Sequence, residues 1–296
     1  MIGSYRVTEQ SRAASLQSGL RANQNRLEQL RERVTTGKQV TKPSDSPTGA
    51  AAAMRIRADL ATRDRYMRSA GDGVGRLDTA EGALNSASNL LNRARDLLVE
   101  GMSSPAADSP TSREAIAAEV ESLRNALLSV ANTRYLGRPV FGGTTAGSAA
   151  FDPSGAYVGD SGQVQRRIAD SVQVRVDVPA TAFGTGSNQL FTVLDSIANN
   201  LRTNPSAAAG DLDRLDSGMA SVHGELAAVG TRYSQLTAAS DAADAASMRL
   251  TTQLSSIEDV DLARAVIDLQ TQNVGYEAAL AAAARVIQPS LLDYLR

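Results

Sequence analysis

His223 is the only histidine among 296 residues, and the chain has no cysteine. Any general base working near neutral pH would therefore have to be that one imidazole. Thiolate nucleophiles, cysteine-based zinc sites and disulfides are excluded together. The run Gly71-Asp72-Gly73-Val74-Gly75-Arg76 has the glycine content of a phosphate-binding loop. It follows no predicted strand and lacks the Lys-Ser/Thr that would reach phosphate and metal, so a finely packed or locally weak stretch of helix is the better reading. Asp259 and Asp261 could offer carboxylates to a metal, but no loop around them supplies six or more oxygen ligands. Negative charge at a helix N-terminus accounts for both. No set of acid, base, nucleophile and metal ligands emerges, so the chain does not read as an enzyme and calls for no cofactor. His223 is expected on the surface or facing a partner.

The composition points the same way. Net charge is −2, so no overall field draws the chain to nucleic acid or a membrane. Aromatic residues make up 4%, with no Trp, while alanine and serine are abundant. Small side chains suit long helices packed closely side by side. No run of about 18 apolar residues could span a bilayer. The start, Met1-Ile2-Gly3-Ser4-Tyr5-Arg6, has no apolar core of a cleavable signal, so export would need another route.

The elements that organise the chain lie at its two ends. Leu16, Leu20, Asn23, Leu27, Leu30 and Val34 are spaced alternately by four and three, the seam of a coiled coil. An Asn inside such a seam fixes register at some cost in stability. The run ends at Gly37, a helix-terminating residue, and from Ser11 to Thr36 it would be about 39 Å long. Leu262, Val266, Leu269, Asn273, Tyr276, Leu280, Ala283 and Ile287 repeat the pattern near the C-terminus. Residues 1–42 carry eight basic and three acidic side chains, and residues 258–296 carry three basic and six acidic ones. Opposite charge steers the two arms toward each other. Pro289 predicts that the second helix ends or bends near Ile287.

Between the arms the sequence reads as helix over 48–100, 112–133, 189–203 and 207–257, with Leu77, Leu84, Leu91 and Leu98 at intervals of seven. Residues 101–110 form a break. In the Gly-, Ser- and Thr-rich stretch 139–187, Val172, Val174, Val176 and Val178 alternate with polar residues, a half-buried strand ended by Pro179. The expected fold is mainly α, a long antiparallel bundle with coiled-coil terminal arms and a small β-rich middle. The expected divisions are an N-terminal arm at 1–45, a helical core from 46–138 and 189–257, a β-rich outer domain at 139–188, and a C-terminal arm at 258–296.

Arg33–Ala52, RVTTGKQVTKPSDSPTGAAA, resembles the N-terminal signature of the bacterial flagellin family, and 69–101 and 112–143 are similar to the helices that follow it there. Ser256-Ile257-Glu258-Asp259-Val260-Asp261 resembles its Ser-x-Ile-x-Asp-Val-Asp motif, and Ser290-Leu291-Leu292-Asp293-Tyr294-Leu295 its C-terminal end. The Lys42-Pro43-Ser44-Asp45-Ser46-Pro47 stretch looks more like the hook–filament junction members than the bulk filament subunit, and the short β-rich middle suits them too. The sequence departs from many relatives at Ser46, where they have a second Asp. The resemblance implies an extracellular structural subunit that packs with copies of itself in a ring or helical layer. It implies another hook-associated protein on one side, flagellin on the other, type III export and a cytosolic chaperone. The seam residues above, with Leu291, Leu292, Tyr294 and Leu295, are the expected assembly contacts. Two other readings stay open: flagellin itself, and a cytosolic coiled-coil scaffold or signalling helix bundle.

Overall fold

A computed structural model describes residues 9–103 and 109–287. Among these, six α-helices and two small two-stranded antiparallel sheets give the mainly α architecture expected. The helices are α1 (Glu9–Thr36), α2 (Pro47–Met102), α3 (Pro110–Ala131), α4 (Leu190–Thr203), α5 (Ala208–Glu258) and α6 (Leu262–Ile287). The strands are β1 (Arg134–Tyr135), β2 (Arg138–Pro139), β3 (Gln165–Ala169) and β4 (Val172–Arg175). No described helix is long and apolar enough to cross a membrane. The chain forms two compact units, with divisions at Ala61/Thr62 and Ser247/Met248. The terminal unit therefore takes in the first turns of α2 and the last of α5, which the sequence reading leaves with the helical core.

In the terminal unit α1 and α6 pack together. They run antiparallel: Gln272 approaches Asn23 at 3.5 Å, and nearer the turn the Val260 amide donates to the Gly37 carbonyl at 2.9 Å. Gly37 has φ +69°, the left-handed conformation that ends a helix with least strain when no Cβ is present.

The central unit is built on two stripes of sevens. Leu77, Leu84, Leu91 and Leu98 on α2 are fully buried, as are Leu215, Val222, Val229 and Leu236 on α5. Each such Leu contributes about 1.5–3 kcal/mol relative to exposure. Arg95 pairs with Asp216 at 2.8 Å and Ser88 meets His223 at 2.9 Å, so these helices run antiparallel with whole heptads in step. The helix pair α3–α4 closes the same core. Arg202 of α4 holds Glu114 at 3.0 Å, and Arg124 of α3 holds Asp195 at 3.3 Å. The Ser109 side chain caps α3, accepting the Ser112 amide at 3.3 Å with Pro110 in the first turn.

Residues 139–188 do not make a core of their own. Phe141, Phe151, Phe183 and Phe191 are the four phenylalanines of the chain, and all pack together, Phe151 touching Phe183 and Phe191 at centroid distances of 5.6 and 5.1 Å. Phe191 belongs to α4, so this aromatic cluster joins the middle segment to the helical core. The Val172–Val178 strand is shorter than expected. Ladder pairing ends at Arg175, with an irregularity between Arg167 and Ala169 of β3. Val174, Val176 and Val178 do point inward, but Val172 at the hairpin turn is exposed. The glycine-rich helical stretch has a packing reason. A Cβ at Gly73 would stand 3.0 Å from both Leu236 Cδ1 and Val176 Cγ1, and one at Gly75 would stand 2.8 Å from the Tyr135 hydroxyl.

Candidate assembly surface

On α1 the predicted seam faces α6 as a graded strip. Leu27 is buried, 4% exposed, and Leu16, Leu20, Asn23, Leu30 and Val34 are half-buried. On α6 the buried strip is not the one predicted. Ala265 and Ala283 are buried, and Leu269, Gln272, Tyr276 and Ala279 are half-buried, again at alternate spacings of four and three. The predicted and observed strips share Leu269, Tyr276 and Ala283. Asn273 is half-buried, and it is Gln272 rather than Asn273 that reaches Asn23.

Small side chains on this strip let α1 and α6 approach closely, and that turns the larger ones aside. Leu262 is 52% exposed, Leu280 43%, Ile267 62% and Val274 66%; Val266 is exposed as well. These five apolar residues lie off the buried strip and are exposed. The backbone of Ile287 is helical. Leu291, Leu292, Tyr294 and Leu295, and the end or bend expected before Pro289, lie outside the described residues.

The turn that joins the arms to the long helices is held by charge. The Glu258 carboxylate is 3% exposed and pairs with Lys38 Nζ at 2.8 Å and Arg57 Nη2 at 2.6 Å. The Gln39 amide donates to the Glu258 carbonyl at 2.6 Å. Asp45 closes the loop before α2, accepting the amides of Lys42 and Thr41 at 2.9 and 3.0 Å and the Thr41 hydroxyl at 3.0 Å. The Lys42 and Thr41 backbone bonds, with the Thr41 hydroxyl, hold its carboxyl below the usual range. Thus two of the quoted motifs have structural work in one turn: Asp45 in the Pro-Ser-Asp run and Glu258 in the Ser-x-Ile-x-Asp stretch. Asp261 accepts the Arg264 amide at 3.2 Å, the helix N-terminal role expected of it. Asp259 accepts from the Ser255 hydroxyl at 2.5 Å. His223 is exposed. Among the described residues no group of three or more His, Cys, Asp or Glu could hold a metal.

The sequence reading missed the Lys38–Glu258–Arg57 cluster and the Ala265/Ala279 strip. The first could be suspected only from three unremarkable charges far apart in sequence. Alanine positions carry no pattern in a chain this rich in alanine.

Comparison with known proteins bears on what such a surface is for. Residues 7–146 match the model of the bacterial flagellin N-terminal helical region, and residues 212–295 that of the bacterial flagellin C-terminal helical region. Polar flagellin F of Vibrio parahaemolyticus is 30% identical over 52% of this chain, a match that spans 39% of that protein's length. Flagellar hook-associated protein 3 of Salmonella typhimurium is 24% identical over 93% of this chain and 94% of its own. In fold, the crystal structure of the flagellar junction protein FlgL from Legionella pneumophila is similar with a TM-score of 0.58, at 16% identity, over 70% of this chain and 99% of that one. The two family models between them take in both terminal arms and most of the long helices, and the chain belongs to the bacterial flagellin family.

Proposed function

We propose that the chain is a structural subunit of the bacterial flagellum that joins hook to filament and carries out no catalysis. The observation that carries the reading is the exposed apolar face of α6 off the buried strip: Leu262, Val266, Ile267, Val274 and Leu280. A helix stripe of this kind gains by burial against further helices, about 25 cal/mol per Å² of apolar surface removed from water. Copies of the same chain in a ring or helical layer would supply those helices. Leu27 stays within the α1–α6 contact, while the part-exposed positions of the predicted α1 seam, Leu16, Leu20, Asn23, Leu30 and Val34, and the outer face of α6 would serve this layer together. Its neighbours would be another hook-associated protein toward the hook and flagellin toward the filament. The subunit would leave the cell by the flagellar type III route, without a cleaved signal, escorted by a cytosolic chaperone. Support comes from the match to hook-associated protein 3 over nearly the whole chain, and from likeness in fold to a flagellar junction protein.

A second reading is flagellin itself, favoured by the higher identity to polar flagellin F. Seeded assembly separates the two. Purified protein is added to isolated hook–basal bodies that carry the preceding hook-associated protein, and the products are imaged by electron microscopy. A short cap is the expected product. Long filaments would make the chain flagellin, and no addition would overturn both.

A further inference from the structure

The central unit has a polar concavity of about 490 Å³ that the assembly surface does not use. Three elements each bring a guanidinium to it: Arg76 from α2, Arg138 from β2 and Arg166 from β3. Only one carboxylate lines it, that of Asp72, and it is taken by Arg166 at 2.6 Å. The lining side chains therefore carry a net charge of +2.

Arg76 is 4% exposed. Its Nη2 donates to the Pro139 and Val140 carbonyls at 3.1 and 3.5 Å, while its Nε–H has no acceptor. A guanidinium stays charged in a protein, and burial without a full set of acceptors is costly. Arg138 is exposed, and among the described residues it has no ion-pair partner. Gln163 adds a neutral side-chain amide on the same wall, whereas the Thr144 amide and hydroxyl are given to the Asp160 carboxylate at 2.7 and 2.8 Å. Arg76, Arg138 and Gln163 approach from different segments, a geometry suited to a group with acceptors pointing in several directions.

We propose that this concavity binds a tetrahedral oxyanion, phosphate or sulfate, free or as the ester group of a small molecule. The anion would accept from the open Nε–H of Arg76 and pair with the guanidinium of Arg138. It would also tie α2 to the β1–β2 hairpin and to β3, so binding would raise the stability of the central unit.

The test uses the full-length monomer. Thermal unfolding and isothermal titration calorimetry are run with phosphate, sulfate and glycerol phosphate, against chloride and acetate at matched ionic strength. Phosphate and sulfate should raise the unfolding midpoint above the chloride and acetate controls. Equal affinity for phosphate and glycerol phosphate assigns recognition to the anion alone, and tighter binding of glycerol phosphate assigns it to the ester; either supports the site. Arg138→Glu lies on an exposed position and should fold normally while weakening phosphate by at least about tenfold, the scale of a lost charge-assisted hydrogen bond. Arg76→Met should do the same, but its burial makes Arg138→Glu the deciding variant. Unchanged phosphate affinity in Arg138→Glu would overturn the proposal. So would the absence of any phosphate effect, beyond chloride, at tens of millimolar.

Discussion

Glu258, the last residue of α5, sits 2.8 Å from Lys38, 220 residues earlier in the chain, with its carboxylate almost wholly out of water. Arg57 reaches the same carboxylate. One side chain thereby connects the turn after α1, the start of α2 and the end of α5.

Replacing Glu258 by Gln should loosen this turn. Removing one partner of a fully buried ion pair costs about 3–5 kcal/mol. Here both cations are about half exposed, so solvent can take over part of their charge, and a loss of about 1–2 kcal/mol is expected. Hydrogen exchange should quicken in α1 and α6 while the central unit keeps its protection. Unchanged exchange in both arms would show that the cluster does not hold them.

Asp45 gives a pH dependence with a definite sign. Its folded pKa lies below the ordinary value of 3.8, chiefly through the Lys42 and Thr41 amides. A depressed carboxyl pKa stabilises the fold fully above the unfolded value, and that contribution is lost as pH falls through the folded one. The loop 41–45 should therefore be indifferent to pH from neutrality down to about 5 and open only below the ordinary carboxyl range. Carboxyl carbon shifts followed by NMR through the acid range would report it, and titration of Asp45 at or above its ordinary value would refute it. Asp45→Ala should open the loop at every pH.

The glycines of α2 separate packing from propensity. Glycine to alanine inside a helix ordinarily stabilises by about 0.5–1 kcal/mol. Gly71 has nothing within 4 Å of an added Cβ, so Gly71→Ala should show that gain. Gly73→Ala would press on Leu236 and Val176, both in the buried core, and should destabilise instead. Thermal melting of the two variants decides it, and an equal gain in both would mean the core yields freely at Gly73.

The two stripes of sevens carry the long helices in plain sight. Leu77 to Leu98 read directly as one buried face, and Leu215, Val222, Val229 and Leu236 have the same spacing on the facing helix. What spacing does not convey is which of two overlapping strips on α6 turns inward. Leu269, Tyr276 and Ala283 belong to both, and hydrophobicity alone favours the strip with Leu262, Val266 and Leu280. The structure takes the one with Ala265, Gln272 and Ala279, because close approach of α1 rewards small side chains. The four phenylalanines likewise stand too far apart in sequence for any periodic pattern to join them. Leu136 goes against local preference: it has φ +49° and is 80% exposed at a hairpin tip where Asn or Gly is favoured.

The same distinction between strips yields the sharpest test of assembly. Leu27 faces α6 and is buried, whereas Leu280 stands on the opposite side of the choice, 43% exposed. Leu27→Asp places a carboxylate in the α1–α6 contact and should cost the monomer about 2–4 kcal/mol, seen as lost helicity and fast exchange in both arms. Leu280→Asp should leave the monomer within about 0.5 kcal/mol of the parent, with the same circular dichroism and exchange. If the outer face of α6 is where copies meet, Leu280→Asp should nevertheless stop cap formation on hook–basal bodies, because a charge would be buried between subunits without a partner. A folded Leu280→Asp monomer that assembles as well as the parent would remove this face from the interface, whatever the behaviour of Leu27→Asp.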